Sequence, residues 1–318
     1  MNNYLSNWYP VKLLRENDGH KCLWKNLEGI SFIDPFFSET VTRACSIKIN
    51  NAQYKPTSDL KILTEWTGSI DSVEPAMFIF HISRCGSTLL SQALSLSDEH
   101  IVLSEVPFID ELLQLLTIDE WLVNTEYQQI LKAAISIYGQ KKNKKQKSLF
   151  IKTDSWHIYY LHLFRVLYPS VSFLFLYREP KAVLNSQYIK RGMHAIPGLI
   201  ADHVLGIETN LSEYIDFDKH LINVLISYLF SFVNLIQTDA NSFLANYSEG
   251  IENITSNVFQ IIGEEIDELY RANINERRRY NAKYPDQPFV NDSLLRQTTD
   301  STELKFLYIE LEELRMMK

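Results

Sequence analysis

The hydrophobic positions of this chain change rhythm at about residue 73. Before it, short apolar runs are broken by turn residues, as in "LLRENDGHKCLWKNLEGISFIDPFFSETVTRA". Within that stretch, "IDPFFSETV" reads as a turn leading into a short helix. Residues 1–72 are therefore expected to form an N-terminal extension or lid rather than a self-standing fold. After it, uninterrupted apolar runs alternate with segments of helical spacing. Five runs predict strands: Met77–Ile82, His100–Leu103, Leu149–Lys152, Ser172–Tyr177 and Ser242–Asn246. The first four each lead into a helical or loop-plus-helical stretch, the layout of a parallel sheet covered on both faces. Residues 73–318 are thus expected to be one α/β domain with about five central strands.

One apolar stretch needs a separate decision. Leu221–Thr238 carries no charge over a length that could cross a bilayer. Asn223, Ser227, Ser231, Asn234 and Gln237 are spread through it, which favours a buried core helix over a membrane span. Hydrophobic residues at 46% and charged residues at 22% are ordinary for a globular chain. The net charge of −8 argues against a nucleic-acid partner, so any anion site must be local. The start, "MNNYLSNWYP", has no basic segment followed by an apolar run. Three sparse cysteines (Cys22, Cys45, Cys85) have no metal-like spacing, and a reduced, cytoplasmic setting is expected. "KKNKKQK", Lys141–Lys147, reads as a solvated loop.

Chemistry enters at "FIFHISRCGSTLLSQAL", where a buried strand passes through a polar knot into a helix. Ser83-Arg84-Cys85-Gly86-Ser87-Thr88 places backbone N–H groups, hydroxyls and a guanidinium at a helix N-terminus, where the dipole favours an anion. Ligands of open parallel sheets gather at the carboxyl ends of the strands. Those ends carry Arg178, with Ser186 eight positions on, Lys152 in "FIKTDSWH" and Glu105 in "IVLSEVPF". Charged residues ending four buried strands are a poor packing choice unless they face a common polar site. Phosphate loops of ATP and GTP enzymes follow G-x-x-x-x-G-K-[ST], with a carboxylate at a later strand end for magnesium. Here no lysine follows Gly86, and "SFLFLY" ends on Arg178. The site is cationic where a magnesium site would be anionic.

These residues resemble the sulfotransferases that use 3′-phosphoadenosine 5′-phosphosulfate (PAPS), over Phe78–Leu94 and Phe150–Gln187, with weaker echoes to Lys283. In that family [K/R]-[S/T/C]-G-[T/S]-T binds the 5′-phosphosulfate, and Arg84-Cys85-Gly86-Ser87-Thr88 matches it. A later strand ending in Arg, with Ser eight residues on, binds the 3′-phosphate; Arg178 and Ser186 match. The arginine form looks most like the tyrosylprotein branch and bacterial relatives. The resemblance implies a P-loop-like sheet and metal-free, in-line sulfuryl transfer to a hydroxyl or amine. Arg84 and Lys152 would stabilise charge developing on the bridging oxygen. Glu105 is favoured as the general base, since a glutamate at this place serves so in the tyrosylprotein branch. Asp154 in "KTD" is the second candidate, where another branch has a histidine; its alternative task is a helix N-cap. Glu105's alternative task is a salt bridge to Arg84 or Lys152. Tyr247 in "NYSEG" would contact adenine, and Arg278, Arg279 or Lys283 in "NERRRYNAKYP" would close over the 3′-phosphate. His81 reads as a hydrogen-bonded strand histidine outside the active site, and His157, His194 and His203 show no metal spacing. Cys85 stands where serine is common, so its side chain is dispensable, though reactive if exposed. "RGMHAIPGLIADH" could line the side of a small-molecule, carbohydrate or peptide acceptor. The competing readings are a P-loop kinase or phosphotransferase and a non-catalytic nucleotide-binding relative.

Overall fold

The computed structural model describes residues 6–17, 19–51, 53–208, 216–284, 286–288 and 301–317. At its centre is a five-stranded parallel sheet built from β4 (Pro75–His81), β5 (His100–Ser104), β6 (Ser148–Lys152), β7 (Ser172–Tyr177) and β8 (Ser242–Asn246). The spatial order is β5-β6-β4-β7-β8. The chain leaves β4 for one edge, returns beside β4 as β6, then crosses to β7 and β8 on the other side. The direction of winding therefore changes at β4, and the crevice at the carboxyl ends opens there. All five expected strands are present; β4 starts two residues earlier than expected and ends at His81.

The strands are apolar throughout because both faces are covered. Rings do much of the filling: Phe78 and Phe80 pack against Phe164 and Phe173 at centroid distances of 5.0–5.7 Å. On the other side, Phe175 stacks on Phe232 at 4.5 Å with the planes 3° apart. Phe232 belongs to the 22-residue helix Phe217–Thr238, which is long and apolar enough to cross a membrane by length and composition. Instead, the helix turns Leu221, Val224, Leu225, Tyr228, Leu229 and Phe232 into the core. Its burial fits the polar residues interspersed in the sequence.

The N-terminal residues hold more structure than the sequence suggests. β1 (Trp8–Glu16), β2 (Gly19–Asn26) and β3 (Thr57–Asp59) form an antiparallel sheet, followed after β2 by helix Phe37–Ala44. The register of β1 and β2 shifts between Pro10 and Lys12, which blurs the two-residue alternation. This sheet is joined to the rest by Tyr138, whose hydroxyl donates to Pro10 O, and by Gln140, which donates to Trp8 O at 2.9 Å. One expectation is corrected here. Lys142, in the basic run, is not solvated: its Nζ donates to Leu27 O and Ile30 O and lies 4.0 Å from the Phe32 ring centroid. Burial pushes it down to about 7. Its neighbours Lys145 and Lys147 do pair with Asp98 and Glu99 at the surface.

Truncating either partner of the Phe175–Phe232 stack should cost about 3–5 kcal/mol in urea unfolding. The double variant should lose less than the two single losses added, because they share one contact. Additive losses would mean that this helix is not seated on the sheet through that stack.

Candidate active site

The loop after β4 is strained into shape. Ser83, Arg84 and Gly86 have φ of 64°, 51° and 85°, in the left-handed region, and helix Ser87–Leu94 begins directly afterwards. For the two non-glycine residues this costs roughly 1–3 kcal/mol each, and it persists only where surrounding contacts impose it. Gly86 is required twice over. A Cβ there would lie 2.3 Å from two carbons of the Tyr247 ring. Ser87 and Thr88 are buried at the helix start. Cys85 faces the core, its thiol donating to Leu176 O at 3.3 Å, and burial pushes it up to about 12. The side chain is packing, not an exposed nucleophile.

Cations converge around this loop. Arg84 Nε donates to Ser186 Oγ at 2.8 Å, joining residues 102 positions apart. Arg178 follows β7, and its guanidinium lies 4.9 Å from the Tyr247 ring centroid. Among the described residues it has no hydrogen-bond partner. Tyr247 is thus held between Gly86 and Arg178. The turn that carries it is capped by Asn246 and Glu249, and it is braced from helix Thr302–Met317. There Glu312 accepts from Asn246 Nδ2 at 2.9 Å, and Arg315 pairs with Glu249 at 3.4 Å. Lys283 also reaches the site. Burial, then the Arg84 charge, push it down to about 8, with Lys152 and Lys190 adding to the effect. Arg277 fixes that segment by donating to Gln92, Asn281 O and Ala282 O. Arg278 and Arg279 are exposed, and Arg279 pairs with Glu276 at 2.6 Å. Of the three basic candidates in this run, Lys283 is the one that is largely buried and feels the Arg84 and Lys152 charges.

The environment shifts the two candidate carboxyls in opposite directions. Glu105, at φ 51°, donates its N–H to Lys152 O, and its Oε1 accepts from Lys152 Nζ at 2.6 Å. Burial alone would raise its pKa, but the Lys152 charge and His81 outweigh it and hold the carboxyl below its usual range. Glu105 is a carboxylate. Asp154 is driven well above its usual range by burial, with the Glu105 and Asp110 charges adding to it. Although it stands at the N-cap position, its side chain makes no capping bond. It lies beside Asp110, which accepts from Trp156 Nε1 at 2.6 Å and His157 Nε2 at 2.9 Å. Asp110, Asp154 and His157 offer ligand atoms within 4.8 Å of one another, compact enough for a cation. The His157 nitrogen, however, is engaged as a donor to Asp110.

Two residues of this site, Phe36 and Gln187, escaped the sequence. Lys152, wholly buried, lies 5.0 Å from the Phe36 ring centroid, and Lys283 lies 5.3 Å from the same ring. Phe36 immediately precedes helix Phe37–Ala44, so the N-terminal segment reaches the site. Gln187 is fully buried; it donates to Ser83 Oγ at 3.4 Å and accepts from Gly192 N at 2.7 Å. It thereby ties the "RGMHAIPGLIADH" loop to the phosphate-type loop, with His194 buried and pushed down to about 3 by burial. His203 lies apart, against Tyr159. His81 is the hydrogen-bonded strand histidine that the sequence suggests, and its Nε2 also lies 3.6 Å from Glu105 Oε1. Only its fixed position next to a strand end could have hinted at this.

No family description and no curated protein matches the sequence. Among solved structures the chain is similar to the sulfotransferase domain from the curacin biosynthetic pathway. The TM-score is 0.50 at 15% identity, over 76% of this chain and 99% of that one. It is also similar to sulfotransferase STF9 from Mycobacterium avium, with TM-score 0.44 and 11% identity over 81% of each chain. A third is retinol dehydratase, solved with androsterone and the inactive cofactor PAP. There the TM-score is 0.34 and the identity 10%, over 83% of this chain and 86% of that one. The curacin-pathway domain establishes the fold: a sulfotransferase-like α/β sheet.

Lys152→Met should destabilise the protein by about 3–5 kcal/mol at pH 7, because it strands a largely buried carboxylate. Adding Glu105→Gln should recover part of that loss. Urea unfolding reads both, and a loss below about 1 kcal/mol would show that the pair is not held as described.

Proposed function

We propose that this protein is a sulfotransferase that takes PAPS as donor and an acceptor hydroxyl or amine as recipient. The observation that carries the reading is the crowding of Arg84, Lys152, Arg178 and Lys283 around one strained loop. Glu105 is the carboxylate paired among them. Burial first, and then the Arg84 charge, lower the Lys283 pKa, and a bound anion would oppose both. A ligand with several anionic groups fits these cations, and Tyr247 against Gly86 and Arg178 offers an aromatic face beside it. When bound, PAPS supplies the sulfuryl group and a bisphosphate leaving group.

Each residue then has a task. Arg84, Ser87, Thr88 and the amides of Cys85 and Gly86 hold the 5′ end. Arg178 and Ser186 hold the 3′-phosphate, Tyr247 borders the adenine, and Lys283 closes the site. Ser186 now bonds Arg84, so the two anion sites adjoin. Lys152 serves two partners. As its ammonium turns towards charge developing in the site, Glu105 loses its counter-charge and its proton affinity rises. Glu105 is the base rather than Asp154, whose burial and neighbouring carboxylates disfavour its charged form. Four cations do what a magnesium ion would otherwise do, so the reading includes no metal. The acceptor is a small molecule, carbohydrate or peptide, the setting is cytoplasmic, and nucleic acid is not a partner.

Adenosine 3′,5′-bisphosphate in EDTA should raise the unfolding free energy by about 2.7 kcal/mol at a hundredfold excess over Kd. Stabilisation by ATP only with magnesium would favour a phosphotransferase, with Asp110, Asp154 and His157 as the cation ligands. Glu105→Gln should lower turnover by roughly 10²–10⁴-fold with bisphosphate binding retained. Unchanged turnover would remove Glu105 from the mechanism. Affinity for the bisphosphate should fall as pH rises through about 8, where Lys283 loses its proton. A bound anion raises that pKa, so binding takes up a proton near this pH. Lys283→Ala should flatten the profile, and a wild-type affinity independent of pH from 7 to 9 would contradict the role of Lys283.

A further inference from the structure

His81 ends the central strand, is 3% exposed, and has both ring nitrogens committed. Nδ1 lies 3.1 Å from the Ser83 backbone N, whose N–H can only be donated to a bare ring nitrogen. The ring proton is thereby assigned to Nε2. That N–H points to Thr153 O at 2.9 Å, with Glu105 Oε1 at 3.6 Å on the same side. One ring touches the turn after β4, the backbone after β6 and the side chain after β5. Ser83 and Glu105, two of the three, have left-handed backbone that needs outside support.

We propose that His81 is a positioning residue, one nitrogen setting the Ser83–Arg84 turn and the other setting Glu105, so that anion loop and carboxylate keep one register. The assignment of Glu105 as base rests on the proposed sulfotransferase reading; the coupling itself does not. His81 is not a proton acceptor in this arrangement. Its free lone pair is spent on Ser83, and burial disfavours a charged ring. Glu105 is also faced by Lys152 from β6, by Asp154 and His194, and by Lys283 from the C-terminal side. The effect of His81 must therefore be separated from theirs.

Two substitutions separate its halves. In His81→Asn the amide oxygen replaces Nδ1 and keeps the Ser83 bond, but the donor towards Glu105 is lost. In His81→Gln the amide nitrogen replaces Nε2, and the Ser83 acceptor is lost. Amide hydrogen exchange at Ser83 should speed up about tenfold in His81→Gln and stay near wild type in His81→Asn. The Glu105 carboxyl, followed by carbon NMR, should titrate higher in His81→Asn and unchanged in His81→Gln. In turnover, His81→Asn should lower kcat about tenfold and move the acidic limb of its pH profile upward, with bisphosphate affinity kept. His81→Gln should weaken bisphosphate binding about tenfold and leave the pH profile in place. Both variants shifting both readouts alike, or neither shifting any, would overturn the proposal. Should neither variant fold, nitrogen NMR of the wild-type ring decides, since a proton on Nδ1 contradicts it. If the wild type ignores the bisphosphate while the exchange and titration pattern holds, the sulfotransferase reading fails and the positioning role stands.

Discussion

The Lys152–Glu105 pair is the constraint on which the mouth of this sheet depends. A lysine with no exposed surface at a strand end is tolerable only with a counter-charge in contact, and Glu105 supplies it at 2.6 Å. Holding Glu105 there bends its backbone to φ 51° and ties its N–H to Lys152 O. His81 and Thr153 fill the space between the pair and the loop that carries Arg84. The charge arrangement is therefore a property of the sheet itself, fixed by the ends of β4, β5 and β6.

The rest of the site completes a ring of positive charge around that pair. Arg178 and Tyr247 come from the β7–β8 side, Lys283 from a segment pinned by Arg277, and Phe36 from the N-terminal residues. Three regions far apart in the chain thus contribute to one opening. The strained turn at Ser83 and Arg84 and the close approach of Tyr247 to Gly86 are costs that a simple packing role would not require. A site that binds a multiply charged anion gives those costs a purpose.

Much of this was legible in the sequence, for a physical reason. Strands buried on both faces read as apolar runs, so a charge at or just after each end stands out, and Arg84, Glu105, Lys152 and Arg178 became candidates in that way. Residues whose role depends on where another segment folds back gave no such signal. Phe36 is an ordinary aromatic until helix Phe37–Ala44 is placed, and Gln187 an ordinary helix residue until its bonds to Ser83 and Gly192 are seen. His81 reads as a hydrogen-bonded strand histidine and is one, but its contact with Glu105 depends on how the ends of β5 and β6 are placed. Lys142 shared a basic run with solvated neighbours, and only the tertiary fold separates it from them. The antiparallel N-terminal sheet was hidden by a bulge and a half-exposed face.

The central claim is that Arg84 and Arg178 grip one molecule. A crystal structure with adenosine 3′,5′-bisphosphate tests it most directly. The account predicts one phosphate within hydrogen-bond reach of Arg84 and the Gly86–Thr88 amides, and the other at Arg178 and Ser186, with the base beside Tyr247. A bisphosphate bound elsewhere, or one that engages only one of the two arginines, would contradict it.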